Sequence, residues 1–131
     1  MSPLVENIDK GDAFERIFGQ EKLSLVLFTN KKKAFLKEFK AFARSENKRF
    51  QKKITYVVAN YNMDIGKRLA RFAKLKPEDG LPQIAIMHPK SGNISFDFLK
   101  PEGNEQRVTA SRLFKFVRDW RATTLVDHIV T

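Results

Sequence analysis

The 131-residue sequence contains no cysteine, which excludes disulfide bonds, thiol redox chemistry and cysteine-ligated metal. It has two histidines, His88 and His128, which are too few and too far apart for an imidazole-rich metal site. No apolar run approaches the roughly 20 residues of a membrane-spanning helix, and the N-terminus lacks a signal-peptide pattern. We therefore expect no metal, no cofactor and no transmembrane segment.

Sequence motifs for catalysis are missing as well. There is no Gly-X-Ser-X-Gly, no phosphate-binding glycine loop and no paired-histidine spacing. An enzyme needs a nucleophile, an acid–base pair or a metal at a defined site. The sequence therefore predicts a binding protein and not an enzyme.

Phenylalanine and positive charge are abundant. Twelve phenylalanines in a chain that is 42% hydrophobic are enough for one compact domain over residues 1–131. The net charge is +10, and the stretch from Lys31 to Lys53 holds ten basic and two acidic residues. Such a charge favours anionic partners, but it does not choose among acidic protein, anionic membrane and nucleic acid.

Hydrophobic periodicity predicts five strands and four helices in the order β-α-β-α-β-α-β-β-α. The predicted strands are 3–9, 23–28, 54–59, 82–87 and 93–99, and Ile94, Phe96 and Phe98 lie on one side of the last strand. The predicted helices are 12–19, 34–50, one that Asp64 caps and Pro77 and Gly80 stop, and a last one that Thr109 caps. The early alternation favours parallel strands, and the short turn at 88–92 favours an antiparallel hairpin. We therefore expect an α/β fold, with a mixed five-stranded sheet and helices on both faces.

Two segments resemble parts of thioredoxins. Gly80–Ile84 (GLPQI) is similar to the segment whose proline follows a cis peptide bond, and Leu25–Asn30 (LVLFTN) is similar to the strand that leads into the active site. The resemblance implies a thioredoxin-like fold in which Pro82 is the structural cis-proline. It also places the two active-site cysteines at Lys33 and Leu36 and the buried aspartate at Leu27, so the redox residues are replaced.

Within that superfamily the sequence is most similar to the non-catalytic domains of protein disulfide isomerases. The similarity lies in Arg68–Pro82, which resembles their third helix and following loop, and in the Lys- and Phe-rich segment after the second strand. It implies a redox-inactive module of an isomerase-like chaperone in the endoplasmic reticulum lumen, where the sequon at Asn93 could be glycosylated. It further implies that unfolded polypeptide or a partner protein binds between the first and third helices. The candidate residues are Phe14, Phe18, Leu69 and Phe72.

A second hypothesis comes from basic stripes on the second and last helices, which cover the same sheet face in thioredoxins. The stripe residues are Lys33, Lys37, Lys40, Arg44, Lys48, Arg112, Lys115 and Arg118. Two such stripes would attract an acidic protein, an anionic membrane surface or nucleic acid, although they would equally serve as solvated helix faces. Nucleic acid is the least favoured of the three, because the helical aromatics fall on apolar faces and not where bases could stack.

Overall fold

The computed structural model describes residues 5–19, 23–30, 35–50, 54–76, 78, 82–90, 93–99 and 111–120. The elements are β1 (Val5–Asn7), α1 (Ala13–Gly19), β2 (Leu23–Thr29), α2 (Leu36–Phe50), β3 (Ile54–Asn60), α3 (Asp64–Phe72), β4 (Gln83–Lys90) and β5 (Asn93–Phe98). A last helix, α4, follows over 111–120. This order of elements confirms the predicted one.

The five strands form one sheet in the order β1-β3-β2-β4-β5. β3 pairs in parallel with β1 and β2, whereas β4 pairs antiparallel with β2 and β5. The parallel neighbours β2 and β3 are joined through α2, because parallel strands need a crossover, and the antiparallel β4 and β5 need only a short turn. The predicted mixed sheet is confirmed, and β1 and β5 are its two edges.

Helices cover both faces of the sheet. The layer of α1 and α3 buries Ile8, Ala13, Ile17, Val26, Phe28, Val57, Ala59, Leu69, Ala70, Ala73, Leu75, Ala85 and Met87. The layer of α2 and α4 buries Leu25, Leu27, Phe39, Phe42, Ala43, Tyr56, Val58, Ile84, Ile86, Leu113 and Val117. Consecutive strand residues alternate between the two layers, because side chains along a strand point to opposite faces. The prediction that α2 and α4 share one face is confirmed.

The C-terminus of α3 differs from the prediction, because the helix ends at Phe72 and not at Pro77. Lys74 adopts a left-handed conformation with φ of 61°. Its N–H donates to the carbonyl of Arg71 at 3.0 Å, and the N–H of Leu75 donates to the carbonyl of Ala70 at 2.9 Å. These two hydrogen bonds form a Schellman motif, which stops the helix and turns Leu75 into the core.

The hairpin between β4 and β5 is also tighter than predicted. β4 continues to Lys90, where the sequence predicted a turn beginning at His88. Pairing of His88 with Ser95 and of Lys90 with Asn93 extends the ladder almost to the end of the hairpin. β5 over Asn93–Phe98 agrees closely with the predicted strand at 93–99.

Candidate functional site

The four residues predicted for the surface between α1 and α3 differ widely in exposure. Phe72 is 58% exposed, whereas Leu69 is 2% exposed and is a core residue whose side chain does not reach the surface. Phe14 is partly buried against the core of its layer. The side chain of Phe18 lies outside the described residues. Of the three members whose side chains are described, Phe72 is therefore the strongly exposed one.

Phe72 meets Phe96 of β5 in an edge-to-face contact, with ring centroids 5.8 Å apart and an interplanar angle of 79°. Phe96 is partly buried on the α3 side of the sheet, as are Ile94 and Phe98. Phe98 in turn stacks on Phe28 at a centroid distance of 6.0 Å. The alternation of residues 94, 96 and 98 predicted this shared face, but sequence reasoning did not single out Phe96 as a site residue.

A row of exposed basic side chains accompanies Phe72. It consists of Arg68, Arg71, Lys74 and Lys76. Arg68 lies one helical turn before Phe72 and therefore on the same side of α3. Within the described ranges, neither Arg68 nor Arg71 forms an ion pair. Sequence reasoning missed this row as a site, although its first three members follow one another at three-residue spacing.

The predicted basic docking face has exposed members on both of its helices. They are Lys37, Lys40 and Arg44 on α2 and Lys115 and Arg118 on α4. Arg112 is partly buried, and Lys33 and the side chain of Lys48 lie outside the described residues. Arg118 Nε lies 3.7 Å from Asp119 Oδ1, a surface ion pair of little strength. Because α2 and α4 cover one sheet face, these cations lie on the same side of the molecule.

Asp9 lies just beyond β1 and contacts the start of α3. Its Oδ1 accepts a hydrogen bond from the Gly66 N–H at 3.1 Å. Asp9 thus satisfies an N-terminal donor of α3, and the prediction that Asp64 caps this helix was wrong. The N-cap residue is Met63, which makes no side-chain capping hydrogen bond.

The electrostatics of Asp9 follow from its position under α3. Burial raises the pKa of this carboxyl above the usual 3.8, and the backbone N–H groups of Gly66 and Asn60 lower it in part. The close packing requires glycine at position 66, because a Cβ there would overlap the Asn60 carbonyl oxygen and lie 2.6 Å from its carbon. These contacts fix the start of α3 against the end of β3.

Two negative findings apply to the part of the chain that the structure describes. It holds no group of three or more His, Asp or Glu side chains that could bind a metal ion. None of its helices has the length and apolarity needed to cross a membrane.

The C-terminal end of β2 is the place that the thioredoxin resemblance implied for the redox site. Leu27 is fully buried, and Leu36 is the partly buried first residue of α2. Pro82 immediately precedes Gln83, which pairs with Phe28 near the end of β2. Leu81 lies outside the described residues, so the cis geometry of the bond before Pro82 stays a prediction.

Comparison with protein families agrees with this topology. A family model described as a thioredoxin-like domain matches residues 1–119. The chain belongs to the thioredoxin-like family. No curated protein sequence is significantly similar to it.

Solved structures of thioredoxin-like proteins share the fold at low sequence identity. Human ERp44 in its zinc-bound form has a TM-score of 0.65 and 20% identity, over 93% of this chain and 32% of that one. A thioredoxin from Thermus thermophilus has a TM-score of 0.52 and 16% identity, over 91% and 87% of the two chains. The J-Trx1 fragment of ERdj5 has a TM-score of 0.53 and 15% identity, over 89% and 51%. The chain thus spans about a third of the ERp44 chain.

This thioredoxin-like domain lacks the residues of dithiol chemistry. It has no cysteine anywhere, so the Cys-X-X-Cys pair of redox-active relatives is missing. Lysine and leucine at positions 33 and 36 cannot form or exchange a disulfide. The described surface carries the exposed ring of Phe72 and, on the same helix, Arg68 and Arg71, which form no ion pair within the described ranges.

Proposed function

We propose that this chain is a redox-inactive thioredoxin-like module that binds unfolded polypeptide or a partner protein, as part of an isomerase-like chaperone in the endoplasmic reticulum lumen. The observation that carries the proposal is the exposure of Phe72. Three large hydrophobic side chains are exposed in the described residues, namely Met63, Phe72 and Phe114, and Phe72 is the most exposed of them. An exposed aromatic ring that packs edge-to-face on a second ring offers a partner a preformed apolar contact.

Two sequence features support the same proposal. The absence of cysteine fits a domain that binds without exchanging disulfides. The segment Arg68–Pro82, which resembles non-catalytic isomerase domains, contains Phe72 and the basic row beside it. The location in the endoplasmic reticulum rests on that resemblance, because such domains reside there.

The chemistry of Phe72 suits sequence-tolerant recognition. A phenyl ring contacts aliphatic and aromatic side chains alike, without the fixed geometry that a hydrogen bond needs. Covering its exposed part contributes about 1–2 kcal/mol, roughly half of what full burial of a Phe side chain gives. One such contact is weak, so useful affinity requires further interactions along the same polypeptide.

Binding of an unfolded protein tests this proposal. We expect a fluorescently labelled, reduced and alkylated protein to bind the wild-type chain in an anisotropy titration. Phe72→Ser should weaken that binding by about fivefold or more, because losing about 1 kcal/mol of apolar contact lowers the affinity about fivefold. Phe114→Ser is the matched control, because it removes an exposed ring from α4 on the other layer. Absence of binding, or equal binding by the two variants, would contradict the proposal.

Redox inactivity has its own assay. With dithiothreitol as the reductant, the purified chain should reduce insulin no faster than the buffer blank, because it has no thiolate. Turnover that survives repurification would overturn this part of the proposal.

The basic residues of α2 and α4 support a second candidate function, an adaptor that docks on an acidic protein, an anionic membrane or nucleic acid. Reversing Lys37, Lys40 and Arg44 to Glu changes the charge by two units each, from +10 to +4. The fold should survive, because exposed substitutions shift stability by only about ±0.5 kcal/mol each. If these residues dock the partner, association should slow and lose its salt dependence, since exposed charges act within about 8–10 Å at 0.1–0.15 M salt.

The two candidate functions give opposite results in one experiment. Loss of binding in the charge-reversed chain with normal binding by Phe72→Ser favours the adaptor. The reverse pattern makes the α2–α4 face a solvated surface and favours polypeptide recognition at Phe72.

A further inference from the structure

The backbone N–H and C=O groups of the edge strand β5 face β4 and the open edge of the sheet at alternate residues. In an antiparallel pair, every second residue forms both of its backbone hydrogen bonds with the partner strand. The N–H and C=O groups of the residues in between point away from that strand. The Leu99 N–H donates to the Ile84 carbonyl at 2.9 Å. Residues two positions apart in the ladder have the same orientation, so the backbone N–H and C=O groups of Asp97 and Ser95 also face β4. β4 therefore satisfies the backbone groups of residues 95, 97 and 99.

The backbone groups of the remaining β5 residues face the open edge of the sheet. Ile94, Phe96 and Phe98 direct their N–H and C=O groups away from β4, and in the described part of the chain no other strand pairs with β5. β5 has six residues and β1, the opposite edge, has three. The β5 sequence, NISFDF, holds neither lysine nor proline, which commonly block edge strands. Its one charged residue, Asp97, lies on the sheet face opposite α3, where its Oδ2 accepts a hydrogen bond from Trp120 Nε1 at 3.0 Å. Such an edge is a template for another strand.

The exposed ring of Phe72 stands beside this template. Its contact with Phe96 places it on the α3 side of the sheet edge. The side chains of Ile94 and Phe98 lie on the same side. A strand added to β5 would alternate its side chains between the two sheet faces. Every second side chain of that strand would therefore lie on the side of Phe72.

The charge next to Phe72 on α3 indicates the kind of polypeptide. Arg68 and Arg71 are exposed on α3 and lack ion pairs within the described ranges, so they can meet carboxylates of a bound segment. A second copy of this chain suits the edge poorly, because it would bring a like charge of +10 and a second basic row to the same place.

We propose that β5 takes up an extended acidic polypeptide segment as a sixth strand, with apolar side chains on Phe72 and carboxylates near Arg68 and Arg71. This inference rests on the proposed function and specifies how the polypeptide is held. Main-chain hydrogen bonds supply affinity that tolerates many sequences, and the alternate side chains supply selectivity. The weak contact at Phe72 is thereby supplemented by backbone bonding along the strand.

Amide hydrogen exchange measured by NMR tests directly which amides of β5 face the open edge. In the free protein the amides of residues 95, 97 and 99 should be protected, and those of residues 94, 96 and 98 should exchange rapidly. The probe is a soluble ten-residue peptide with leucine and glutamate in turn at its odd positions and serine at its even positions, so that one face of the strand carries both kinds of side chain toward α3. Its binding should slow exchange at residues 94, 96 and 98 by about tenfold or more, because those amides gain acceptors.

Peptide N-methylation supplies a matched control. Only every second amide of an added strand points at β5, so methylating one set of alternate amides should weaken binding about tenfold or more. Methylating the other set should leave the affinity nearly unchanged. A peptide with lysine in place of glutamate should bind much more weakly than the acidic one.

Matched charge reversals locate the binding edge. Arg68→Glu with Arg71→Glu should weaken the acidic peptide about fivefold or more. Lys37→Glu with Lys40→Glu makes the same charge change on the opposite layer and should have a much smaller effect. Peptide binding without protection of residues 94, 96 and 98, or with equal effects of the two methylation sets, overturns strand addition and leaves the proposed function standing.

Two further outcomes separate the remaining explanations. If the wild-type chain binds neither unfolded protein nor the peptide, the proposed function itself is overturned. If residues 94, 96 and 98 become protected without peptide as protein concentration rises, and sedimentation shows a dimer, the occupant is a second copy and the acidic segment is overturned.

Discussion

α2 and α3 are built from the same residue types, yet they present different surfaces. Both combine phenylalanine with lysine or arginine at three- and four-residue spacing. In α2, Phe39 and Phe42 are 0% and 7% exposed, so the outer face is left to cations. In α3, Phe72 is 58% exposed. The buried residues of α3 are Gly66, Leu69 and Ala70.

The two helices also contact the sheet through different residues. α3 starts against the Asn60 backbone, where even the Cβ of an alanine would overlap. Gly66 and the small buried Ala70 allow this close approach of α3. α2 instead accommodates Phe39, which lies edge-to-face with Tyr56 at 6.3 Å and 75°. The same residue pattern therefore gives a charged surface on one layer and an aromatic one on the other.

The largest expected effect on the free energy of unfolding distinguishes the buried Phe39 from the exposed Phe72. Phe39→Ala should destabilise the domain by about 3–5 kcal/mol, because it empties a fully buried site. Phe72→Ala should cost less than about 1 kcal/mol, because more than half of that side chain is already in water. Urea denaturation of the two variants measures both changes. Similar losses would show that Phe72 belongs to the core.

Gly66→Ala tests the close approach of α3. The new Cβ would collide with backbone and not with a flexible side chain, so α3 must move. We expect a loss of about 2–4 kcal/mol in the free energy of unfolding. Gly19→Ala is the control, since its Cβ would meet nothing within 4 Å and should change stability by about 1 kcal/mol or less. Equal behaviour of the two variants would contradict close packing at Asn60.

The layers of this fold could be predicted from the sequence because they depend on local periodicity. Apolar residues at helical spacing predicted α2 and its inward Phe39, and alternation predicted which side of β5 is apolar. The exposure of Phe72 could not be predicted in this way, because its spacing with Leu69 places it inward. The Schellman motif at Lys74 ends the helix there, and the chain beyond it supplies Leu75 to the core instead.

Contacts between distant parts of the chain were also beyond sequence reasoning. Asp64 stands at a plausible capping position, yet the hydrogen bond to Gly66 comes from Asp9, 57 residues earlier. Only the parallel pairing of β1 with β3 brings Asp9 to the start of α3. Phe96 and Phe72 likewise meet only in the folded chain, because they belong to different elements, β5 and α3.

Replacing Asp9 should have a smaller effect than Gly66→Ala. Asp9→Ala removes the acceptor for the Gly66 N–H and should cost about 0.5–2 kcal/mol, the usual loss for a helix cap. Asp9→Asn retains a side-chain oxygen and should lose less. Chemical denaturation at pH 7 measures both.

The pH dependence of the same site has a defined sign. Because burial raises the pKa of Asp9 in the folded state, the folded protein binds this proton more tightly than the unfolded chain. The stability that this proton contributes is therefore present below pH 3.8 and is lost as pH rises through the folded-state pKa. The stability of Asp9→Asn relative to wild type should rise across that window. A difference that is constant from pH 3 to pH 7 would contradict burial of the carboxyl.

The smallest expected effect is a gain in stability at the other end of α3. Lys74 holds φ of 61°, a conformation that costs a residue with a Cβ about 1–2 kcal/mol and glycine almost nothing. Glycine also has more freedom to lose on folding, so Lys74→Gly should stabilise the domain by a net amount of about 0.5–1 kcal/mol in thermal or urea unfolding. Lys76→Gly makes the same chemical change at an exposed residue without positive φ, and it should give no gain. Equal results for the two variants would mean that the left-handed residue does not end α3, and the outward position of Phe72 would then need another cause.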